Sequence, residues 1–289
     1  MFIKVFSLVR AGGVSKMQNR RIIALAVLNT VLSIFGSVVN SLVVLVILTN
    51  KNLQKGLNLL ILSLATAGLL TCAIAQPMYV HAILYCTDEA SMFQQALIVV
   101  ALITLHALTL NLVAITIHRW KALSWPFTHL LLVSKKHASI AIGGVWILSI
   151  FMGVFFATKP GKLVAAYVHL AMTLAWIGGY IRLFCLVKKQ RSKIASLECS
   201  PTAQFQKASI KFENEALKTS AILVGLSLLC FFPDIIFDFM GHVDEIRMAW
   251  EFTVLFLNSS LNPCVFIWRS HQFREVLAQN VRHVWRGRK

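Results

Sequence analysis

The sequence predicts an all-α membrane protein, a bundle of seven transmembrane helices followed by a short amphipathic helix on the membrane surface. Three observations carry this. The 289 residues are 57% hydrophobic and 13% charged, where a soluble domain holds ~25% charged residues and a soluble chain this apolar would expose large adhesive patches. The apolar residues come in blocks, several longer than the ~20 residues that cross ~30 Å of hydrocarbon. The basic residues collect in the gaps between those blocks.

Taken in order, the apolar segments run over Ile22–Leu48, Leu57–Leu84, Phe93–Ile117, Ala138–Phe156, Leu163–Leu186, Ala221–Met240 and Met248–Trp268. The stretch Ser270–Val281 follows the last of them. Its Phe273, Val276 and Leu277 fall at i, i+3 and i+4, one face of a helix, while Arg274 and Arg282 would meet headgroups, the pattern of a helix lying in the interface. The chain then divides into a short basic tail over residues 1–21, a seven-span domain over 22–268, and a surface helix with a basic tail over 269–289. No internal repeat, low-complexity stretch or separate soluble domain is visible.

The net charge of +17 does not imply nucleic-acid binding, because the basic residues sit where they orient membrane segments. With the carboxyl end inside, the cytoplasmic gaps hold Lys51, Lys55, Arg119, Lys121, Lys135, Lys136, the basic run from Arg182 to Lys218, and those from Arg269 onward. The outer loops hold only Lys159, Lys162 and Arg247. The loops therefore predict an outside amino terminus and a cytoplasmic carboxyl terminus. Lys4, Arg10, Lys16, Arg20 and Arg21 oppose this, and the loops outweigh them because their bias is spread over four segments. Residues 1–21 lack the apolar run of a cleavable signal, and the first block is long enough to span. The one sequon, at Asn258, lies within the seventh segment, out of reach of glycosylation. Six cysteines are present, none in a CxxC pair, and Cys72, Cys185, Cys230 and Cys264 lie in apolar blocks, where cysteine packs. No metal site, cofactor or catalytic constellation is expected.

Polar residues inside the spans discriminate among seven-helix proteins, because each is costly in lipid. Asn40 lies in GSVVNSLVVLVIL, the second span reads NLLILSLATAGLL, and the third ends NLVAITIHRWKAL. Trp146 is mid-span in the fourth, the sixth reads ENEALKTSAILVGLSLLCFFP and the seventh LNSSLNPCVFIWRSHQFR. This ordered set, from Asn40 to Arg274, resembles the rhodopsin-like (class A) G-protein-coupled receptors. The resemblance implies a plasma-membrane receptor that passes an extracellular or membrane-borne ligand's signal to a heterotrimeric G protein, with lipids as further partners and homo- and hetero-dimers left open. It assigns Arg119 to the arginine of the DRY motif and Glu213 to the acid at the base of the sixth span, a pair that latches the inactive state. It assigns Pro233 to the sixth-span kink, and Asn262 and Pro263 to the NPxxY motif, a second hinge. Arg119 as a snorkelling end residue, or the prolines as static kinks, are the plainer readings. A receptor-fold partner or scaffold with little coupling is the main rival. A transporter is less favoured, since no paired broken helices or mid-membrane ion ligands stand out.

Departures from the family pattern are many. His118 and Trp120 flank Arg119 where an acid and a tyrosine are usual, Phe266 replaces the tyrosine of NPxxY, and Phe231 stands at the sixth-span tryptophan. Gly68 replaces the second-span aspartate and Leu108 a third-span hydroxyl, so no sodium site is expected even though Asn258 and Ser259 remain. Gln94 replaces the cysteine that opens the third span, and the second outer loop is only about ATKPGK, so the outer disulfide is absent and Cys86 has no evident partner. With Met172 at the fifth-span proline position, these losses resemble, weakly, the melanocortin–cannabinoid–adenosine–lysophospholipid branch.

Ala101 stands where amine receptors carry an aspartate, which disfavours a simple amine, and Phe256 where opsins carry the retinal lysine, which excludes a Schiff base. Asp234 and Asp238 lie one turn apart beyond Pro233, a pairing costly in lipid unless wet or partnered. They are candidates for binding a cationic group, more a short basic peptide than a monoamine, or else simple solvated acids at the helix end. His106, His169, Phe231 and Glu251 join them as candidate ligand-binding residues, with Tyr79, Tyr167 and Trp176 as further cavity residues. A lone span histidine is more often tied to a neighbouring carbonyl.

Overall fold

The computed structural model describes residues 16–54, 56–85, 91–124, 135–195, 218–219, 221–232, 245–270 and 273–277. Among them every regular element is helical. Helix α1 spans Lys16–Thr49, α2 spans Gly56–Tyr85 with a π-helical turn at Thr71–Ala75, α3 spans Met92–Ser124, α4 Lys135–Ala157 and α5 Lys159–Ala195. Each of these five contains a stretch long and apolar enough to cross a membrane. A shorter apolar helix, α6, covers Ala221–Phe232, and α7 covers Glu245–Arg269 with Pro263 inside it. A last helical turn lies at 273–277. Three helices extend well beyond their apolar blocks: α1 starts at Lys16, so Arg20 and Arg21 are exposed on its first turns, α3 runs past Ile117 to Ser124, and α5 continues past Leu186 into basic sequence.

The residue distribution is that of a lipid-embedded bundle. Val27 and Ile34 of α1, Ile147 and Phe151 of α4, and Leu174, Ile181 and Phe184 of α5 point outward, while Asn29, Asn40, Gln76, Asn111, Asn258 and Asn262 are buried. Water would favour the reverse. In hydrocarbon, polar groups hide inside the bundle and apolar ones face the acyl chains. One core joins Val43, Val46, Leu60, Leu64, Leu108, Leu112, Leu223, Leu255 and Phe273 from five of the helices and the last turn, and a second, toward the other end, joins Leu25, Tyr79, Leu97 and Phe256.

Helices α3 and α4 pack closely along their lengths. Gly153 makes that possible, since a Cβ there would collide with Ile103, including its backbone; small residues bring membrane helices together in this way. Trp146 does more than pack: its indole N–H donates to Ser63 Oγ at 3.1 Å, tying α4 to α2. The π-turn in α2 follows from Pro77, which has no N–H for the carbonyl four residues back. Gln76 N–H bonds Thr71 O, one residue further back than in an α-helix, and Ser33 Oγ of α1 donates to Cys72 O at 2.6 Å. A carbonyl exposed by the irregular turn is thus satisfied by a neighbouring helix.

The α4–α5 connection is tighter than the six-residue loop read from the sequence, because residues 159–162 already belong to α5 and Thr158 alone lies between the helices. Thr158 N and Oγ1 both donate to Phe155 O, at 3.0 and 2.6 Å. The same hydroxyl accepts from Gly161 N at 3.2 Å, which is an N-cap bond to the third residue of α5. At the top of α3, Ser91 Oγ likewise accepts from Gln94 N at 3.2 Å, so the position that carries a cysteine in the family pattern serves here in a cap. Cys86 lies outside the described residues.

After α7, Phe273 is buried and packs edge-on against Phe266 at 5.3 Å between ring centroids, Val276 and Leu277 lie against the core, and Arg274 and Glu275 are exposed. The predicted apolar face therefore does face the bundle.

Candidate functional site

Two polar regions lie inside the bundle. In the first, Asn40 Nδ2 donates to Gly36 O at 2.8 Å and to Ser259 O at 3.1 Å, joining α1 to α7. Ser227 Oγ donates to Asn258 Oδ1 at 2.9 Å, joining α6 to α7. Both bonds fall within two turns of Pro263. Asn262 is 2% exposed, and neither of its amide atoms has a hydrogen-bond partner, nor do Asn258 Nδ2, Ser259 Oγ and Asn111 Oδ1. Phe266 packs on Phe273, so the ring at the tyrosine position of NPxxY holds the carboxyl-terminal turn against α7. Arg119 and His118 are half-buried toward the carboxyl-terminal end of α3. Glu213, the predicted latch partner, and Pro233 lie outside the described residues.

The absence of the second-span aspartate has a structural counterpart. A Cβ on Gly68 would come within 2.6 Å of Asn40 Oδ1, so the asparagine amide occupies the space an aspartate would need. Leu108, fully buried, contributes an apolar surface on the α3 side. Oxygen ligands for a hard cation are thus missing on two sides. Melting curves of the purified protein in sodium chloride and in an organic cation salt of equal ionic strength are expected to coincide; a sodium-selective rise in Tm would show that Asn258, Ser259 and Asn111 suffice for a site.

Toward the amino-terminal end of α1, a second network went unnoticed in the sequence. Asn29 Nδ2 donates to Leu25 O at 2.9 Å and to Thr253 Oγ1 at 2.8 Å, and its Oδ1 accepts from Gln76 Nε2 at 3.1 Å. Thr253 Oγ1 donates to Ala249 O at 2.7 Å. This joins α1, α2 and α7, and the available signal was the cost of placing Asn29 and Gln76 within apolar segments. Gln76 Oε1 is buried without a partner.

Of the predicted ligand-binding residues, His106 and His169 are brought together: their Nε2 atoms are 3.2 Å apart, between α3 and α5. His106 is also bonded to a carbonyl of its own helix, Leu102 O, through Nδ1 at 2.6 Å. Phe156 of α4 packs against both imidazoles, with centroids 5.3 and 5.4 Å away. Glu251 is buried near the amino-terminal end of α7, and Phe231 of α6 is half-buried against the main core. Asp234 and Asp238 lie outside the described residues. Trp176 is buried, whereas Tyr167 is 66% exposed on the outside of α5, which removes it from an interior cavity. Tyr79 is buried in ring contacts with Phe252 and Phe256, and its hydroxyl donates to Ala249 O at 2.9 Å; it fastens α2 to α7.

An all-helical membrane bundle with these residues in this order resembles that of the rhodopsin-like receptors, and sequence comparison points the same way. Residues 39–167 match the profile described as 7 transmembrane receptor (rhodopsin family). The chain is 26% identical to the adenosine receptor A2a of Canis lupus familiaris over 303 aligned positions, covering 89% of this chain and 71% of the relative. It is 25% identical to cannabinoid receptor 2 of Rattus norvegicus, covering 91% and 79%, and 24% identical to the histamine H2 receptor of Canis lupus familiaris, covering 89% and 79%. The chain is thus similar, over most of its length, to class A G-protein-coupled receptors, and its long apolar helices are those of a multi-pass membrane protein. The adenosine and cannabinoid matches fall in the branch that the sequence, with Met172 and Gln94 at the proline and cysteine positions, weakly resembles; the histamine match lies outside it.

Proposed function

We propose that the protein transduces an extracellular or membrane-borne ligand, with a basic peptide as the favoured class, to a heterotrimeric G protein. The observation that carries the reading is the state of α7 around Pro263. Around the proline this helix is held to α1 through Asn40 and Ser260 and to α6 through Ser227, and Asn262 is buried beside the proline with both amide atoms unpartnered. A buried amide with no partner is costly. It marks an element that gains partners in a second arrangement, which is what a population shift between two receptor states requires. The amino terminus is assigned outside and the carboxyl terminus to the cytoplasm, with residues 22–268 as the receptor domain flanked by the tail 1–21 and the segment 269–289.

In the inactive arrangement Arg119 pairs with Glu213. His118 cannot hold Arg119 as the usual acid does, so Glu213 bears the latch, and a pair near the interface contributes ~1 kcal/mol, a several-fold bias in populations. Glu213→Ala is therefore expected to raise ligand-free signalling several-fold when the receptor is expressed with a panel of G proteins. Unchanged signalling at equal surface expression would remove the latch from the mechanism. Absence of signalling with every G protein, in wild type and mutant alike, would favour the scaffold reading, to which the substitutions at His118, Trp120 and Phe266 already point. On the outer side, Asp234 and Asp238 supply the negative charge for a basic ligand. Ala101 in α3 offers no carboxylate to an amine, despite the match to a histamine receptor.

A further inference from the structure

We infer that His106 and His169 form a transition-metal site between α3 and α5, with zinc as the ion it suits. The two Nε2 atoms are 3.2 Å apart. Two imidazole nitrogens bound to one tetrahedral zinc at ~2.0–2.1 Å stand about 3.3 Å from each other. The pair is thus already spaced as neighbouring ligands of a single ion, which would sit to one side of the line joining them.

The orientation fits as well. Leu102 O can only accept, so His106 carries its proton on Nδ1, and its Nε2 lone pair points toward α5. Metal-binding histidines characteristically donate their other ring N–H in this way, to a carbonyl that fixes the tautomer and raises the basicity of the ligating nitrogen. In the metal-free pair, His169 then donates from Nε2 to His106 Nε2. Binding an ion requires that His169 shift its proton from Nε2 to Nδ1 and that the two rings tilt so that their lone pairs converge on the ion; both imidazoles bind as neutral ligands and no electron is transferred. Phe156 lies against both rings, an apolar wall that restricts water beside the ion.

Among the described residues no group of three or more His, Cys, Asp or Glu side chains is placed to hold a metal, so the protein supplies two ligands from the described helices. The other positions are left for water or for a donor atom of a bound molecule, an open coordination sphere of the kind a ligand-responsive site has. Imidazole nitrogen suits zinc, and also copper and nickel, over calcium or magnesium. An ion here joins α3 to α5 and stabilises the arrangement in which the two histidines face each other.

The test uses the full-length protein purified in detergent and stripped with a chelator, so that it does not depend on any G protein. Zinc chloride at micromolar concentration is expected to raise Tm, with reversal by EDTA, and magnesium is not. His106→Gln and His169→Gln, which keep hydrogen-bonding capacity in the bundle, should each weaken the apparent affinity for zinc at least tenfold. Cobalt(II) added to the wild type should give the intense visible bands of a tetrahedral site. An unchanged zinc response in the double variant would assign binding to other histidines, such as His81, and overturn the proposal. So would no response of the wild type up to millimolar zinc. If neither variant folds, a cobalt spectrum showing only the weak octahedral bands decides against the site.

Discussion

Gly161→Val is expected to remove most of the protein from the cell surface and to lower the Tm of whatever survives purification. The reason lies in the connection between α4 and α5, where Thr158 is the only residue between the helices. A Cβ at position 161 would run into the carbonyl of Phe155 and lie 2.7 Å from the Cα of Phe156. Those neighbours are backbone, so relief requires moving one helix end, and a one-residue connection leaves no slack. Overpacking costs ~1–3 kcal/mol where side chains give way, and more where the backbone must. Two controls locate the effect. Pro160→Ala should be mild, because Pro160 is exposed in the first turn of α5, where a missing N–H is harmless. Thr158→Ala should cost ~1 kcal/mol through loss of the cap to Gly161. Surface staining and size-exclusion profiles of the three variants give the ranking, and a well-expressed, wild-type-like Gly161→Val would mean that the corner is built differently.

Gly68→Asp is the second large effect, although it restores the residue usual in this family of receptors. Its Cβ would meet Asn40 Oδ1 at 2.6 Å, forcing the amide to rotate and endangering its bonds to Gly36 O and Ser259 O. A carboxylate at the middle of a membrane helix adds ~2.5–3.5 kcal/mol unless it is partnered. Gly68→Ala carries the steric part alone and should lose ~1 kcal/mol, near the lower end of overpacking costs, since the colliding atom ends a side chain. Combining Gly68→Asp with Asn40→Ala should recover part of the loss, because the space in dispute is emptied. If instead Gly68→Asp melts at or above wild type, and only in sodium, the region is a cation site lacking one ligand. Additive losses in the double variant would show that the two residues do not compete.

These two glycines illustrate where reading the residues stops. The importance of Gly68 was visible as a departure from the family pattern, and the loss of a sodium ligand follows from chemistry alone. That Asn40 takes up the vacated space depends on how α1 and α2 pack. Gly161 carried no signal beyond sitting in a short, loop-like stretch, and its segment was read as an outer loop because it falls between two apolar segments. A threonine cap before a first-turn proline made it a helix start instead. Tyr167 shows the same limit in the other direction. Its aromatic hydroxyl suggested a cavity residue, yet the rotation of α5 turns it outward.

The sequence by itself determined the class of this protein. Apolar blocks of spanning length, charges confined to the gaps, and polar residues placed in order within the blocks need no tertiary information, because the cost of each group in hydrocarbon is set residue by residue. The amphipathic turn at Phe273 was legible for the same reason, as a local periodicity. Tertiary structure alone decided which buried polar groups meet. His106 and His169 are separated by 63 residues, Asn29 and Thr253 by 224 and Asn40 and Ser259 by 219. No periodicity along one helix specifies the depth or rotation of another, so these contacts are set by how the helices pack: by small residues such as Gly153 that admit close approach, and by the need of each buried polar group for a partner.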